Sequence, residues 1–270
     1  MCGKSGALQD AIAKVGASCN FGLRCAIAVR DLVTNARAGY QDNALFVSAS
    51  SAKAIWVGAA LHDRSIADVE PHVKPIFEKS DNIESGAVID LLSSPDRVNT
   101  FQWQDGKLAD IGFCKWNYGT DRIAKNCPSV MNGENFFSAS DAVSYLAQIW
   151  DRSLLGADKS KALLSWMTLS PRQGYGGWLG TQLPSAARAS MRHKAGWRPP
   201  GSVAGYSNSN ANEMGIVEVP GGHAYAVAIL IDGAQSQDAY DNEALPLLEY
   251  LSCVAYHAVA GDSASACSAP

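Results

Sequence analysis

The chain has 270 residues, 47% of them hydrophobic and 18% charged, which is enough to bury a real core as one large domain or two closely packed ones. Its net charge of -4, with no Lys/Arg cluster, gives no electrostatic reason to bind nucleic acid or an anionic membrane, and no apolar run approaches the ~20 residues that span a bilayer. The composition therefore points to a globular protein acting on a small or neutral molecule; no metal or organic cofactor is implied, and a monomer is the simplest assembly.

Along the chain, residues 8–15 show helical spacing, and residues 23–32 form an apolar, β-branched run that reads as a strand. Residues 46–50 lead into Ala49-Ser50-Ser51-Ala52-Lys53, followed by the apolar stretch 54–61. On a helix, Ser50 and Lys53 are three apart and share a face, so an amine reaches a hydroxyl and takes its proton. Taken alone, that spacing also describes a helix start with a solvated lysine. Against this, Lys53 is the only charged residue between Ala52 and Leu61, so the helix should be buried nearly all round. Burial lowers a lysine's pKa and makes it available as a base.

Lys79-Ser80-Asp81-Asn82 comes next, a sequence that by itself makes a turn or a helix cap. A polar loop over residues 113–134 precedes a helical pattern at 138–150. Further on stands His193-Lys194-Ala195-Gly196-Trp197, by itself a strand end, and then a Pro/Gly/Ser/Asn-rich loop over 198–212. His193, between Arg192 and Lys194, is expected at the surface and is given no role. Residues 214–219 and 225–231, joined by Pro220-Gly221-Gly222, read as a hairpin. Helical spacing returns at 242–256, and the small, polar tail 261–270 should fray.

Cys2 aside, the cysteines fall into local couples: Cys19 with Cys25, Cys114 with Cys127, Cys253 with Cys267. These are candidate bridges, although Cys25 inside an apolar run also suits a buried thiol. Without a C-x-x-C, and with no His near Cys114 or Cys127, zinc is not expected. Met1-Cys2-Gly3-Lys4 lacks the apolar segment of a signal peptide, so the chain is either cytoplasmic or the mature part of an exported precursor; the cysteine couples favour export, to a periplasm or the exterior.

The ordered set Ser50-x-x-Lys53, Ser80-Asp81-Asn82 and Lys194-Ala195-Gly196 resembles the serine β-lactamase and penicillin-binding protein superfamily, most closely its class A-like branch. The resemblance covers nearly the whole chain. It implies an α/β fold in which an antiparallel sheet flanked by terminal helices (residues 1–45 and 186–270) carries an inserted all-helical part (residues 46–185), with the active site in the cleft between them. It also implies a serine hydrolase or acyltransferase working on an amide or ester, a β-lactam or a related acyl substrate, through an acyl-enzyme. Ser50 is then the nucleophile and Lys53 its base. Ser80 relays a proton to the leaving group, with Lys194 tuning its hydroxyl, and the backbone N–H groups of Ser50 and Trp197 form the oxyanion hole. Asn82 holds Lys53 and the substrate amide, Ala195 and Gly196 line the substrate, and Arg198, with Arg192, is a candidate anchor for a carboxylate.

The chain departs from that pattern in three places. Ala195 stands where a Thr or Ser hydroxyl usually helps bind the carboxylate of a β-lactam. Only twenty-six residues lie between Lys53 and Ser80, so central helices should be shortened or missing and the cleft wider. The third departure bears on deacylation. Where class A enzymes commonly place a water-activating glutamate just after a tryptophan, Trp116 is followed by Asn117 and Tyr118. Glu134 is the nominated substitute and Asp121 the weaker one. A penicillin-binding enzyme of the carboxypeptidase type, a transacylase with a long-lived acyl-enzyme, and a non-turnover β-lactam sensor are the alternatives.

Overall fold

A computed structural model describes residues 3–16, 19, 22–116, 124–201, 209–262 and 264–270. Cys2, Asn117, Tyr118 and Asp121 lie outside these residues. In chain order the elements are α1 (Gly3–Gly16), β1 (Arg24–Asp31), β2 (Arg37–Tyr40), β3 (Phe46–Val47), α2 (Lys53–Asp63), α3 (Ile66–Lys79), α4 (Asn82–Asp90), α5 (Asp96–Thr100), β4 (Ile111–Gly112), β5 (Phe136–Phe137), α6 (Ala139–Trp150), α7 (Ala157–Met167), α8 (Trp178–Thr181), α9 (Ser185–Ser190), β6 (Arg192–Arg198), β7 (Asn210–Val219), β8 (His223–Asp232), α10 (Gln237–Ala239) and α11 (Leu245–Ala260).

The main sheet is antiparallel, ordered β2-β1-β8-β7-β6, so its strands come from both ends of the chain and β6 is an edge. The period-two alternation of β1 and β8 separates two cores. Ala26, Ala28, Ala224, Ala226 and Ala228 face the helices between α2 and α7, where small side chains let the helices approach. Cys25, Ile27, Val29, Val227, Ile229 and Ile231 face α1 and α11, meeting Leu8, Ile12, Leu248 and Leu251. The hairpin turns at Gly221 (φ 96°) and Gly222 (φ 85°), left-handed positions that glycine adopts without a Cβ penalty. A second, three-stranded sheet, β3-β5-β4, sits beside the start of α2.

Side chains mark the helix starts. Ser65 and Asp68 form a reciprocal capping box on α3, Asp81 accepts from the Ile83 and Glu84 N–H groups at α4, and Ser138 accepts from Asp141 N–H at α6. α2 is buried from Lys53 to Leu61, as its composition predicts. It packs on α6 at Gly58, where an added Cβ would fall inside contact distance of the Tyr145 hydroxyl, itself a donor to the Ala54 carbonyl at 3.0 Å. Overpacking there costs about 1–3 kcal/mol against a helix-propensity gain of about 0.5–1 kcal/mol. Gly58→Ala is therefore expected to lower the melting temperature by a few degrees; an unchanged or higher value in a thermal melt would mean that Tyr145 gives way freely.

All three cysteine couples are disulfides. The tail differs from expectation. Cys267 is tied to Cys253 on α11, and Gln182 exchanges hydrogen bonds with Ser268 at 3.0 and 2.8 Å, so a cross-link and two backbone contacts hold what composition alone leaves to fray. Among the described residues no helix is long and apolar enough to cross a membrane.

Candidate active site

The segment before Ser50 is pinned by the small sheet. Val47 pairs with Phe136, and Ser48 N–H donates to the Asn135 carbonyl at 2.8 Å. The next residue, Ala49, has φ 47°, a left-handed conformation that costs a non-glycine residue of order 1–3 kcal/mol and persists only where its surroundings enforce it. Ser50 then lies in a 3₁₀ turn, Ala49–Ala52, and the α-helix begins only at Lys53. The expected continuous helix is interrupted because the Ser51 hydroxyl donates to the Ser48 carbonyl at 2.5 Å, a local bond that competes with helical pairing. Ser50 is half-buried.

Ser80 caps the C-terminus of α3 with φ 57°, and this left-handed cap brings Ser80, Asp81 and Asn82 back toward α2. Lys53, 1% exposed, extends its Nζ to the Ser80 carbonyl (2.5 Å), Asn82 Oδ1 (2.6 Å), Ser80 Oγ (3.3 Å) and the Asp81 carbonyl (3.3 Å). Among the described residues the Ser50 hydroxyl is not one of its partners. Burial lowers the Lys53 pKa to about 7, with Asp81 opposing. From the edge strand β6, Lys194, 2% exposed, donates to Ser80 Oγ at 3.0 Å and to the Ala195 carbonyl at 2.7 Å. Burial, followed by the charge of Lys53, pushes Lys194 well below the ordinary lysine range, and Glu213 pulls the other way. One hydroxyl thus stands between two buried amines, an arrangement in which both cannot stay charged.

Gly196 brings β6 against the turn. A Cβ there would run into Ser51 N and lie 2.7 Å from Ser50 N and 2.8 Å from the Ser48 carbonyl. Only glycine admits this approach, which sets the edge of β6 beside the Ser50 amide.

The remaining expected residues divide. Glu134 is buried and sits next to Asn135, against Ser48, but its carboxylate meets Lys115 Nζ at 3.1 Å and Arg198 Nη1 at 3.9 Å. Arg198 is 9% exposed. Arg192 is not brought to the site: it pairs with Glu218 at 2.7 Å and lies over Trp150, because residues 192 and 218 flank the β6–β7 pairing at its far end. Ala195 turns its side chain into the core facing the terminal helices, so only its backbone is available to a substrate. His193 is fully buried, a correction to the expected surface position. Strand alternation puts it on the same face as Ala195, where its Nδ1 lies 2.5 Å from Glu213 Oε1, and Glu213 also accepts Leu179 N–H at 3.0 Å.

A pocket of about 290 Å³ opens beside Ser80 and Lys194 and is lined by Phe77, Glu78, Lys79, Ser170, Pro171, Tyr175, Gly176 and Trp197. Tyr175, Trp178 and Trp197 stack edge to face with centroids 4.9–5.7 Å apart. The sequence reading passed over Tyr175; the signal was Tyr175-Gly176-Gly177-Trp178, a glycine pair between aromatics. The cluster Cys253, His257 and Cys267 offers nothing to a metal, since both sulfurs are in a disulfide.

The profile of the β-lactamase enzyme family matches residues 76–259, more than half of the chain. No curated protein matches. Among solved structures, the chain superposes on the TLA-3 extended-spectrum β-lactamase with TM-score 0.75 at 13% identity, covering 93% of this chain and 98% of that one. A class A β-lactamase from Bacteroides cellulosilyticus DSM 14838 gives TM-score 0.73 at 19% identity, covering 94% and 99%. PBP-A gives TM-score 0.70 at 18% identity, covering 93% and 96%.

Proposed function

The chain belongs to the β-lactamase enzyme family, and from that membership we propose a serine hydrolase or acyltransferase that cleaves an amide or ester, a β-lactam or a related acyl compound, through an acyl-Ser50 intermediate. The observation that carries the reading is the Ser80 hydroxyl held between Lys53 and Lys194 beside the Ser50 turn. In the neutral state Lys53 takes the Ser50 proton as Oγ attacks the carbonyl. The oxyanion forms between the Ser50 and Trp197 N–H groups, a reading supported by the close approach of Gly196, the residue before Trp197, to the Ser50 amide. Lys194 Nζ donates to Ser80 Oγ, which leaves the Ser80 proton free to pass to the leaving group while Lys53 restores it. Asn82 Oδ1 fixes Lys53, consistent with its proposed role.

A long-lived acyl-enzyme is favoured over rapid turnover. Glu134 remains the nominated deacylation base, yet its carboxylate is engaged by Lys115 Nζ at 3.1 Å and lies 3.9 Å from Arg198 Nη1, partners that compete with a water for its oxygens. PBP-A has been solved as an acyl-enzyme complex with penicillin G, in a mutant that this chain matches at 17% identity. The test is to mix the protein with a chromogenic cephalosporin and a fluorescent penicillin while recording intact mass and mapping the adduct. A persistent adduct on Ser50 supports this reading. Rapid hydrolysis makes it a β-lactamase in the strict sense. Absence of both leaves an amidase or esterase with a different acyl substrate.

The lysine chemistry also sets a pH dependence. Because burial places Lys53 at about 7, acylation is expected to rise about tenfold per pH unit below that value and to flatten above it, where the amine is already neutral. Adduct formation measured between pH 5 and 9 checks this; a rate still climbing at pH 9 would mean an ordinary, solvated lysine.

We place the chain outside the cytoplasm, where the three disulfides persist. We also divide it into residues 1–45 with 186–270 and an insert at 46–185; the insert, expected to be all-helical, carries the β3-β5-β4 sheet, and Trp178, Leu179 and Leu183 near its end pack with the terminal helices.

A further inference from the structure

We propose that the pocket beside Ser80 and Lys194 takes an uncharged aromatic or alkyl leaving group, in place of the carboxylate that a β-lactam would put there; this rests on the reading of Ser50 as nucleophile and Ser80 as proton donor. The pocket is on the leaving-group side because Ser80 lines it and Ser50 does not. One part of its wall is apolar: Phe77, Pro171, Tyr175 and Trp197. Tyr175 is 61% exposed, an unusual position for a large ring, and it is held there by edge-on contacts with Trp178 and Trp197. The loop beneath is fixed, since a Cβ on Gly177 would run into the Pro171 carbonyl and lie 2.5 Å from Gln173 N, while Gly176 has φ 85°.

Among the described residues the groups that would hold a carboxylate are missing or engaged. Ala195 has no hydroxyl and faces the core. Ser170 donates its hydroxyl to the His193 carbonyl at 2.7 Å. Lys194 is committed to the Ser80 hydroxyl and the Ala195 carbonyl. The remaining lining charges, Glu78 and Lys79, are adjacent and of opposite sign, and neither Arg192 nor Arg198 lines the pocket. An anion would therefore lose hydration for little beyond the charge of Lys79, which is offset by the adjacent Glu78, whereas a ring or alkyl group gains an aromatic wall. For an aryl ester the step balances without a further reagent. The bond from Ser50 Oγ to the acyl carbon forms, the bond from that carbon to the aryl oxygen breaks, and the Ser50 proton ends on the phenol by way of Lys53 and Ser80.

The test compares 3-carbamoyl-4-nitrophenyl acetate with 3-carboxy-4-nitrophenyl acetate, an isosteric neutral and anionic pair, with rates normalised to hydroxide hydrolysis and the adduct located by peptide mapping. The neutral ester is expected to be favoured at least tenfold in kcat/KM, mostly through KM. Tyr175→Ser should narrow the ratio by raising KM for the neutral ester with kcat retained, and Tyr175→Arg should shift the preference toward the anionic ester. Equal or better use of the anionic ester by wild type, with Ser50 acylated, overturns the proposal alone. A Tyr175→Ser variant that treats the pair as wild type does, with its melting temperature retained, also overturns it. If neither ester acylates Ser50, the nucleophile reading falls, and the leaving-group assignment falls with it.

Discussion

Ser50→Ala is expected to abolish acylation, with a loss on the order of 10⁶-fold in rate by comparison with other serine nucleophiles, and the melting temperature should hardly move. Chemistry and stability separate here for a structural reason. Ser50 is half-buried, and among the described residues its hydroxyl makes no hydrogen bond, so removing the oxygen leaves no polar group unsatisfied. The Ser50 backbone stays in the 3₁₀ turn, because that turn is fixed by Ser51 Oγ on the Ser48 carbonyl and by Ser48 N–H on the Asn135 carbonyl. Intact mass after incubation with penicillin decides the matter. An adduct that survives the substitution, mapped to another side chain, would remove Ser50 from the mechanism. A variant that fails to melt cooperatively would show instead that the hydroxyl has a structural role.

The folded elements were legible where local chemistry decides them. The hairpin followed from Pro220-Gly221-Gly222 between apolar runs and the start of α4 from Asp81, while the local cysteine couples, 6 to 14 residues apart, were candidate bridges that the fold bears out. Lys53 was legible as a buried residue because positions 54–61 of its helix are apolar. Features set by register and long-range packing were not. His193 looked exposed between two cations, yet β6 turns one face into the core with the terminal helices, position 193 shares that face with Ala195, and only the partner strand supplies Glu213. Arg192 looked like a substrate anchor until the pairing of β6 with β7 put Glu218 near it. The turn at Ser50 depends on a side-chain bond one residue away, and the Tyr175 wall depends on a loop meeting a distant strand. In physical terms, spacing along the chain predicts which residues share a face; what they face is settled by tertiary contacts.

Gly196→Ala carries the second large effect, because it tests the proposed oxyanion hole without touching a reacting side chain. The new methyl group would run into Ser51 N and come within 2.7 Å of Ser50 N, and both are backbone atoms, so no rotamer change relieves the clash. Either the edge strand β6 or the 3₁₀ turn must retreat. β6 is the more mobile partner, being paired on one side only, whereas the turn is anchored to the small sheet and to α2. Retreat of β6 carries the Trp197 N–H away from the Ser50 N–H, and loss of one oxyanion donor costs about 10²–10³ in kcat. Lys194 travels on the same strand, so its 3.0 Å bond to Ser80 should lengthen as well. The expected signature is a fall in kcat with KM nearly unchanged, since the lost contacts belong to the transition state. The sheet interior of β7 and β8 should keep the fold, which circular dichroism and a thermal melt would show. Wild-type kcat in a folded Gly196→Ala protein would mean that the carbonyl oxygen is stabilised somewhere other than between Ser50 and Trp197.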